Sequence, residues 1–289
     1  MTLELIEKAA DWRSRLDACR GKGQQVGLVP TMGALHGGHM SLIRRAAAEC
    51  DVVAVTDYVN PLQFGAGEDL TAYPRDLERD CELAEEAGAS FVFAPSVEEM
   101  WPEPPVTTVS VGGLTSRLEG EARPGHFNGV TTIVAKLFSL AGRCCAYFGE
   151  KDYQQLVVVR RMISDLSLPV DLVECPTVRE TDGLALSSRN AYLSTEERAA
   201  APQLYYALLA GKRAVEDDAL DDPDLIEKSI VESLSRQPLF DLDYAAVADP
   251  DTFERPRRIA AEVRLLIAAR IGRARLIDNV PATPPPAAS

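Results

Sequence analysis

VGLVPTMGALHGGHMSLIRRA, residues 26–46, is the stretch on which the fold turns. The apolar run Gln25 to Pro30 reads as a strand, Gly33, Gly37 and Gly38 fall in the loop after it, and a helix is expected to start near His39 or Met40. Small residues let backbone come close to a ligand, while the free N–H groups and dipole of a helix start favour an anion. His36 and His39, three residues apart, then face the same phosphate, where imidazoles can donate hydrogen bonds as charge moves onto a leaving group. Two other readings compete. The histidines could be half of a metal site, but no third or fourth ligand appears at helical or Cys-x-x-Cys spacing, and the glycines alone could make a tight turn. The chain has only three histidines, and two sit at this junction, which favours the anion reading.

Outward from this stretch, short apolar runs alternate with helical periodicity. Asp51 to Val59, Ser90 to Ala94, Cys144 to Gly149 and Val170 to Cys175 read as strands; Ser41 to Glu49, Arg75 to Ala87, Val130 to Ala141 and Tyr153 to Leu166 read as helices. Such alternation predicts an α/β domain, a Rossmann-like parallel sheet with helices on both faces, and right-handed crossovers put every strand's C-terminal end on one ligand-binding edge. After about residue 178 the pattern changes to helices over Thr195 to Glu216 and Asp224 to Ser235, then strands over Asp243 to Ala248 and Val263 to Ile271. We therefore expect residues 1–177 as one domain and 178–289 as a smaller α+β C-terminal domain, with a frayed Pro/Ala tail from about 281 to 289.

Composition narrows the function. The 289 residues suit about two domains, and 46% hydrophobic with 26% charged residues is the make-up of a globular chain. Forty-four Asp and Glu against thirty Lys and Arg leave a net charge of −14, which repels a phosphate backbone and argues against nucleic-acid binding. An anionic substrate would need a local positive pocket. Apolar runs stop well short of the roughly 18 residues of a membrane span, so no membrane partner is expected. Six cysteines without a Cys-x-x-Cys pair, and no signal-like N-terminal segment, set the expectation of reduced thiols in the cytoplasm.

Candidate cations and polar groups recur where strands meet loops. RLEGEARPGHFNGV places Arg123 and His126 around Pro124 and Gly125, able to clamp a carboxylate or phosphate from a mobile loop, or simply a surface loop. CAYFGEKDYQQL carries Glu150, Lys151, Asp152 and Gln155 at the end of a strand, with Lys151 on the same edge as the histidine loop and Asp152 an alternative helix cap. ETDGLALSSRNAYLS offers Ser187, Ser188 and Arg189 after an Asp-Gly turn, a phosphate-holding combination. VNPLQF supplies Asn60 and Gln63, side chains that donate and accept at once; an Asn-Pro turn explains Asn60 equally well, Gln63 less so. The P-loop pattern GxxxxGK[ST] is absent, and Gly21-Lys22-Gly23 precedes the first strong strand, which disfavours a P-loop kinase or NAD enzyme.

Taken in order, PTMGALHGGH, VNPLQF, RPGHFNGV, GEKDYQQ and DGLALSSRN closely resemble the pantothenate synthetase (pantoate–beta-alanine ligase) family of the HxGH nucleotidylyltransferase superfamily, from about residue 24 to 193. The resemblance implies two steps: pantoate attacks the α-phosphate of ATP to give pantoyl adenylate and pyrophosphate, and the amine of beta-alanine then displaces AMP. It implies an ATP site of Met32, Gly33, Ala34, Leu35, His36, Gly37, Gly38 and His39, with Gly149, Glu150, Lys151, Asp152, Val178, Leu186, Ser187, Ser188 and Arg189. His39, His36, Lys151 and Arg189 are the implied catalytic set, His39 in the acid role; Gln63 and Gln155, with Asn60, Arg123 and His126, are the implied pantoate and beta-alanine contacts. Mg on the β and γ phosphates, no assigned protein metal ligand, a Rossmann-like catalytic domain over residues 1–177 that binds ATP and pantoate, a C-terminal lid domain over 178–289 and a homodimer are further implications.

Three points of the family pattern bear on this chain. Gly37 stands where an acidic or polar residue usually separates the motif histidines, loosening that turn without removing either imidazole. Asp57-Tyr58 replaces a hydroxyl-plus-Phe pair, adding a carboxylate near an anion pocket, while Glu150 is ordinary. Alternatives are a cytidylyl- or adenylyltransferase that keeps HxGH and stops after nucleotide transfer, and a catalytically dead binding or scaffold protein if Asp57 spoils the pocket.

Overall fold

The computed structural model describes residues 3–65, 68 and 70–286. They form two compact units, Met1–Glu150 with Gln154–Pro176, and Lys151–Tyr153 with Thr177–Ser289. Among the described residues no helix is long and apolar enough to cross a membrane.

The first unit runs β1 (Glu4–Ile6), α1 (Ala9–Gly21), β2 (Val26–Thr31), α2 (Gly37–Glu49), β3 (Val52–Asp57), α3 (Leu77–Ala87), β4 (Phe91–Phe93), α4 (Val97–Met100), α5 (Glu119–Ala122), α6 (His126–Ala141), β5 (Cys144–Gly149), α7 (Tyr153–Asp165) and β6 (Val170–Cys175). The six strands form one parallel sheet in the order β1-β4-β3-β2-β5-β6. β2, β3 and β5 read as continuous apolar runs because both faces are covered. One face packs Val29, Val53, Val55 and Val92 against Ile43, Ala46 and Ala84 of α2 and α3. The other takes Trp12 of α1 stacked on Phe93, ring centroids 4.9 Å apart, and Phe138 of α6 edge-on to Phe148. The fold class expected from the alternation is the fold found.

β1 and α1 lie in the first 23 residues, where no element was expected. α2 begins at Gly37, two residues before the expected start, because His36 serves as its N-cap. That position is more often filled by Ser, Thr, Asp or Asn, so the pattern hid it.

The second unit holds α8 (Thr195–Ala200), α9 (Gln203–Glu216), α10 (Pro223–Leu234), β7 (Phe240–Ala248), β8 (Val263–Ile271) and β9 (Ala274–Ala282), with an antiparallel sheet in the order β7-β8-β9. Leu204, Leu208, Ile226 and Ile230 of the helices share one core with Leu265, Ile267 and Val280 of the sheet. The single helical pattern over 195–216 divides at Pro202, which has no N–H for an i→i−4 bond. A Ser194/Glu197 capping box starts the first half. The expected tail begins later than 281: Pro281 and Ala282 pair with Arg264 and Val263. Residues 287–289 of that tail lie outside the described residues.

Candidate active site

Strand order places the histidine loop at a reversal. From β2 the chain builds outward through β3 and β4 on one side, and later through β5 and β6 on the other. Because all pairings are parallel, Thr31 at the end of β2 and Gly149 at the end of β5 share one edge, the position where open α/β sheets bind ligands.

The loop from Met32 to His36 is tied down by buried polar groups. Thr31 Oγ1 donates to Thr56 O and accepts from Gly33 N at 3.2 Å, and Asp80 of α3 accepts from Ala34 N at 2.8 Å and Leu35 N at 2.6 Å. Gly33 (φ +77°) and Ala34 (φ +50°) both sit in the left-handed region, where an Ala is held only by its surroundings. The His36 ring then turns onto the helix start, and its Nδ1 accepts from Gly38 N at 3.1 Å. A nitrogen accepting that bond carries no proton, so the neutral ring holds its proton on Nε2. The His36 and His39 rings lie 4.1 Å apart, tilted by 33°. The two imidazoles are thus neighbours on the first turn of α2, where backbone N–H groups lack partners within the helix. Gly37 and Gly38 occupy its first two positions.

A second cluster forms around Gln63. Asn60 is 1% exposed and caps the short turn Pro61–Gln63 by accepting from Leu62 N; its amide also donates to Gln63 Oε1 at 3.2 Å and Gly129 O at 3.1 Å. Gln63 Nε2 reaches Met32 Sδ at 2.8 Å, linking this cluster to the histidine loop. Arg123 is held by both oxygens of Glu68 at 2.7 Å, and its Nη1 lies 3.0 Å from His126 Nε2. A guanidinium only donates, so His126 Nε2 accepts and its proton sits on Nδ1, which donates to Gln63 O at 2.8 Å. Burial, with the Arg123 charge adding to it, pushes His126 down to about 4 and keeps it neutral. The hydrogen bond from Arg123 holds Glu68 down at about 2. Arg123 and His126 are committed here to the Gln63 segment. Gln155 is half-buried on α7, while its neighbour Gln154 accepts from Glu119 N and donates to Leu114 O and Arg117 O.

The remaining implied residues belong to the second unit, apart from Gly149 and Glu150. Lys151 Nζ lies 3.3 Å from Asp152 Oδ1, and Lys151 O accepts from Asn279 Nδ2 of β9 at 2.9 Å. Asn279 Oδ1 accepts in turn from Arg264 Nε at 2.7 Å, and the Arg264 guanidinium stacks 3.8 Å over the ring of Tyr153. Asp278 beside it takes a bidentate contact from Arg179. Val178 and Leu186 meet across a hairpin closed at Gly183, with Leu186 N donating to Val178 O at 3.0 Å. Ser187 caps the turn Ser188–Tyr192 by accepting from Arg189 N.

Sequence reading missed Asp80, Glu68, Arg264 and Asn279. One signal was available: Asp80, Ala84 and Ala87 form the buried stripe of α3 at i, i+4, i+7, and a carboxylate on such a stripe demands a partner. Among the described residues no group of three or more His, Cys, Asp or Glu is placed to hold a metal ion.

Comparison with known proteins agrees over nearly the whole chain. A family model described as pantoate-beta-alanine ligase matches residues 4–281. The pantothenate synthetase of Rhizobium etli is 50% identical over 277 residues, covering 96% of this chain and 93% of that protein, and that of Brucella canis is 49% identical over 278 residues, covering 96% and 94%. Among solved structures, the pantothenate synthetase of Thermus thermophilus superposes with a TM-score of 0.91 at 50% identity, covering 96% of this chain and 98% of that one. A Francisella tularensis pantoate-beta-alanine ligase, complexed with beta-gamma ATP and beta-alanine, gives 0.80 at 31% identity, covering 96% and 97%. With its parallel sheet, its histidine pair at the reversal and a match from residue 4 to 281, the chain belongs to the pantoate–beta-alanine ligase family, enzymes that use ATP to form a C–N bond.

Proposed function

We propose that this chain makes pantothenate in two steps from pantoate, beta-alanine and MgATP. A pantoate carboxylate oxygen attacks the α-phosphorus, the bond to the pyrophosphate oxygen breaks, and pantoyl adenylate forms. The amine of beta-alanine then attacks the acyl carbon, the bond to AMP breaks, and the amine's proton leaves to solvent. The first step brings anions together, so its barrier falls only where fixed donors meet the charge growing on pyrophosphate. The observation that carries this reading is the pair of imidazoles on the first turn of α2, 4.1 Å apart, with the His36 proton fixed on Nε2.

In this scheme Met32–His39 receive the nucleotide, His36 Nε2–H donates to a phosphate oxygen, and His39 takes the acid role. Gly149–Asp152, Val178 and Leu186–Arg189 contribute further to ATP, with Lys151 and Arg189 supplying positive charge. Gln63 and Gln155 orient pantoate, and Gln63 lies near beta-alanine; Asn60, Arg123 and His126 hold the Gln63 segment in place. The second step asks only for correct placement of the amine beside an activated acyl group. Mg would arrive with the nucleotide, on phosphate oxygens and water. A homodimer in the cytoplasm completes the reading; sedimentation velocity and cell fractionation test those two parts.

Incubation with ATP, pantoate and beta-alanine should yield AMP and pantothenate in equal amounts. Labelled pyrophosphate should enter ATP when pantoate is present alone. Transfer of the nucleotide to a phosphate ester without pantothenate would replace this reading with a nucleotidyltransferase; absence of any exchange would leave only a binding protein.

A further inference from the structure

We propose that Asp57 is a positioning residue for the nucleotide loop: its carboxyl shares one proton with Asp80 beneath Gly33, and that proton keeps the loop carrying His36 in shape. The inference rests on the functional reading above and concerns a residue that reading does not use.

The geometry is closely constrained. A methyl group built on Gly33 would lie 2.4 Å from Asp57 Oδ1 and 3.0 Å from Asp80 Oδ2, so both carboxyls press against the same Cα. Asp80, 3% exposed, already accepts from Ala34 N and Leu35 N. Those bonds fix one residue in the left-handed region and the one before His36. Asp57 ends β3 and bridges Met32 at the other end of the same loop. Two ionised carboxylates cannot share so small a space; one proton between them turns repulsion into a hydrogen bond.

Burial, then the charge of Asp80 and a hydrogen bond to it, raise Asp57 to about 7. From α3 the titratable groups facing it are Asp80 and Cys81, whose thiol is itself pushed up by burial and by both carboxylates. From the loop it meets the backbone at Gly33. The carboxylate that the sequence introduces near an anion site is therefore neutral below about pH 7 and adds no charge there. Above that pH the second negative charge drives the pair apart, and the backbone that Asp80 holds loosens.

The test compares the wild-type enzyme with Asp57→Asn, whose amide can donate to Asp80 but cannot titrate. KM for ATP is measured from pH 6 to 9 by pantoate-dependent pyrophosphate exchange; the nucleotide's own ionisation is common to both proteins and cancels in the ratio. The ratio of wild-type to Asp57→Asn KM is expected to rise by about tenfold across this range, each tenfold being about 1.4 kcal/mol of binding. A ratio that stays constant overturns the proposal. Independently, 13C-aspartate spectra of wild type, with the Asp57 signal identified by its loss in Asp57→Asn, should show that carboxyl titrating near neutrality. A midpoint near 4 overturns the shared proton. Should the wild type make no pantothenate, the functional reading falls, and the carboxyl titration still decides the pair.

Discussion

Replacing Asn279 by Ala tests whether β9 holds the Lys151 backbone in place. Asn279 is 4% exposed and makes two side-chain bonds that Ala cannot: its Oδ1 receives Arg264 Nε at 2.7 Å, and its Nδ2 donates to Lys151 O at 2.9 Å. A bond between neutral groups contributes about 1 kcal/mol and one to a charged group about 1.5–3 kcal/mol, so the truncation should cost roughly 3 kcal/mol. At about 4 °C per kcal/mol for a unit between roughly 100 and 150 residues long, the calorimetric Tm should fall by roughly 12 °C. Arg264, 5% exposed, also loses an acceptor while remaining stacked on Tyr153. Asn279→Asp separates the two bonds. A carboxylate restores the acceptor for Arg264 but sets an oxygen against the Lys151 carbonyl. It should recover much of the lost Tm while KM for ATP stays raised several-fold, with pantoate KM little changed. If Asn279→Ala melts within a degree of wild type and binds ATP equally well, the network does not position Lys151.

Gly129→Ala places a methyl 2.1 Å from Leu62 O and 2.6 Å from Gln63 Cα, so the Asn60–Gln63 turn must move; urea unfolding should show a loss of about 1–3 kcal/mol, accompanied by a higher KM for pantoate. His39→Ala should slow pyrophosphate exchange by about a hundredfold, the scale for one lost transition-state donor, and an unchanged rate would remove His39 from the acid role. Nitrogen-15 imidazole spectra should find opposite tautomers, Nδ1–H at His126 and Nε2–H at His36. His126 should stay neutral down to about pH 4. Its folded value lies below the unfolded one of about 6.5, so the stability it contributes is complete above that pH and is lost as pH falls from there to about 4.

How much of this was legible in the sequence depends on whether a feature is periodic or relational. β2, β3 and β5 announce themselves because a strand buried on both faces must be apolar throughout. The bounds 144–149 and 170–175 match the strands found to the residue, although β6 is an edge strand with Asp171 exposed. β9 escaped notice: Arg275, Asp278 and Asn279 interrupt its pattern, and only the Gly272-Arg273 turn hinted at a hairpin. In the candidate site, the histidines and Gln63 were recognised by residue type at a loop, which a single sequence displays. Their supports were not, because Asn279 or Glu68 alone is an ordinary polar residue.

The supporting residues also change what the recognised ones can do. Read singly, Arg123 is a spare cation for a substrate carboxylate; bound by Glu68 and facing His126 Nε2, it instead fixes a tautomer and so the carbonyl of Gln63. Read singly, Asp57 is a second negative charge where phosphate should bind; against Asp80 and Gly33 burial and the neighbouring carboxylate push it up to about 7, so it is neutral only below that pH. In both cases the sequence names the ionisable group correctly and leaves its charge state undetermined, since that state belongs to a pair formed by residues 55 and 23 positions away. A molecule with a net charge of −14 can still favour a polyanion locally where burial raises a carboxyl toward neutrality, as at Asp57, or an arginine offsets one, as Arg123 does for Glu68.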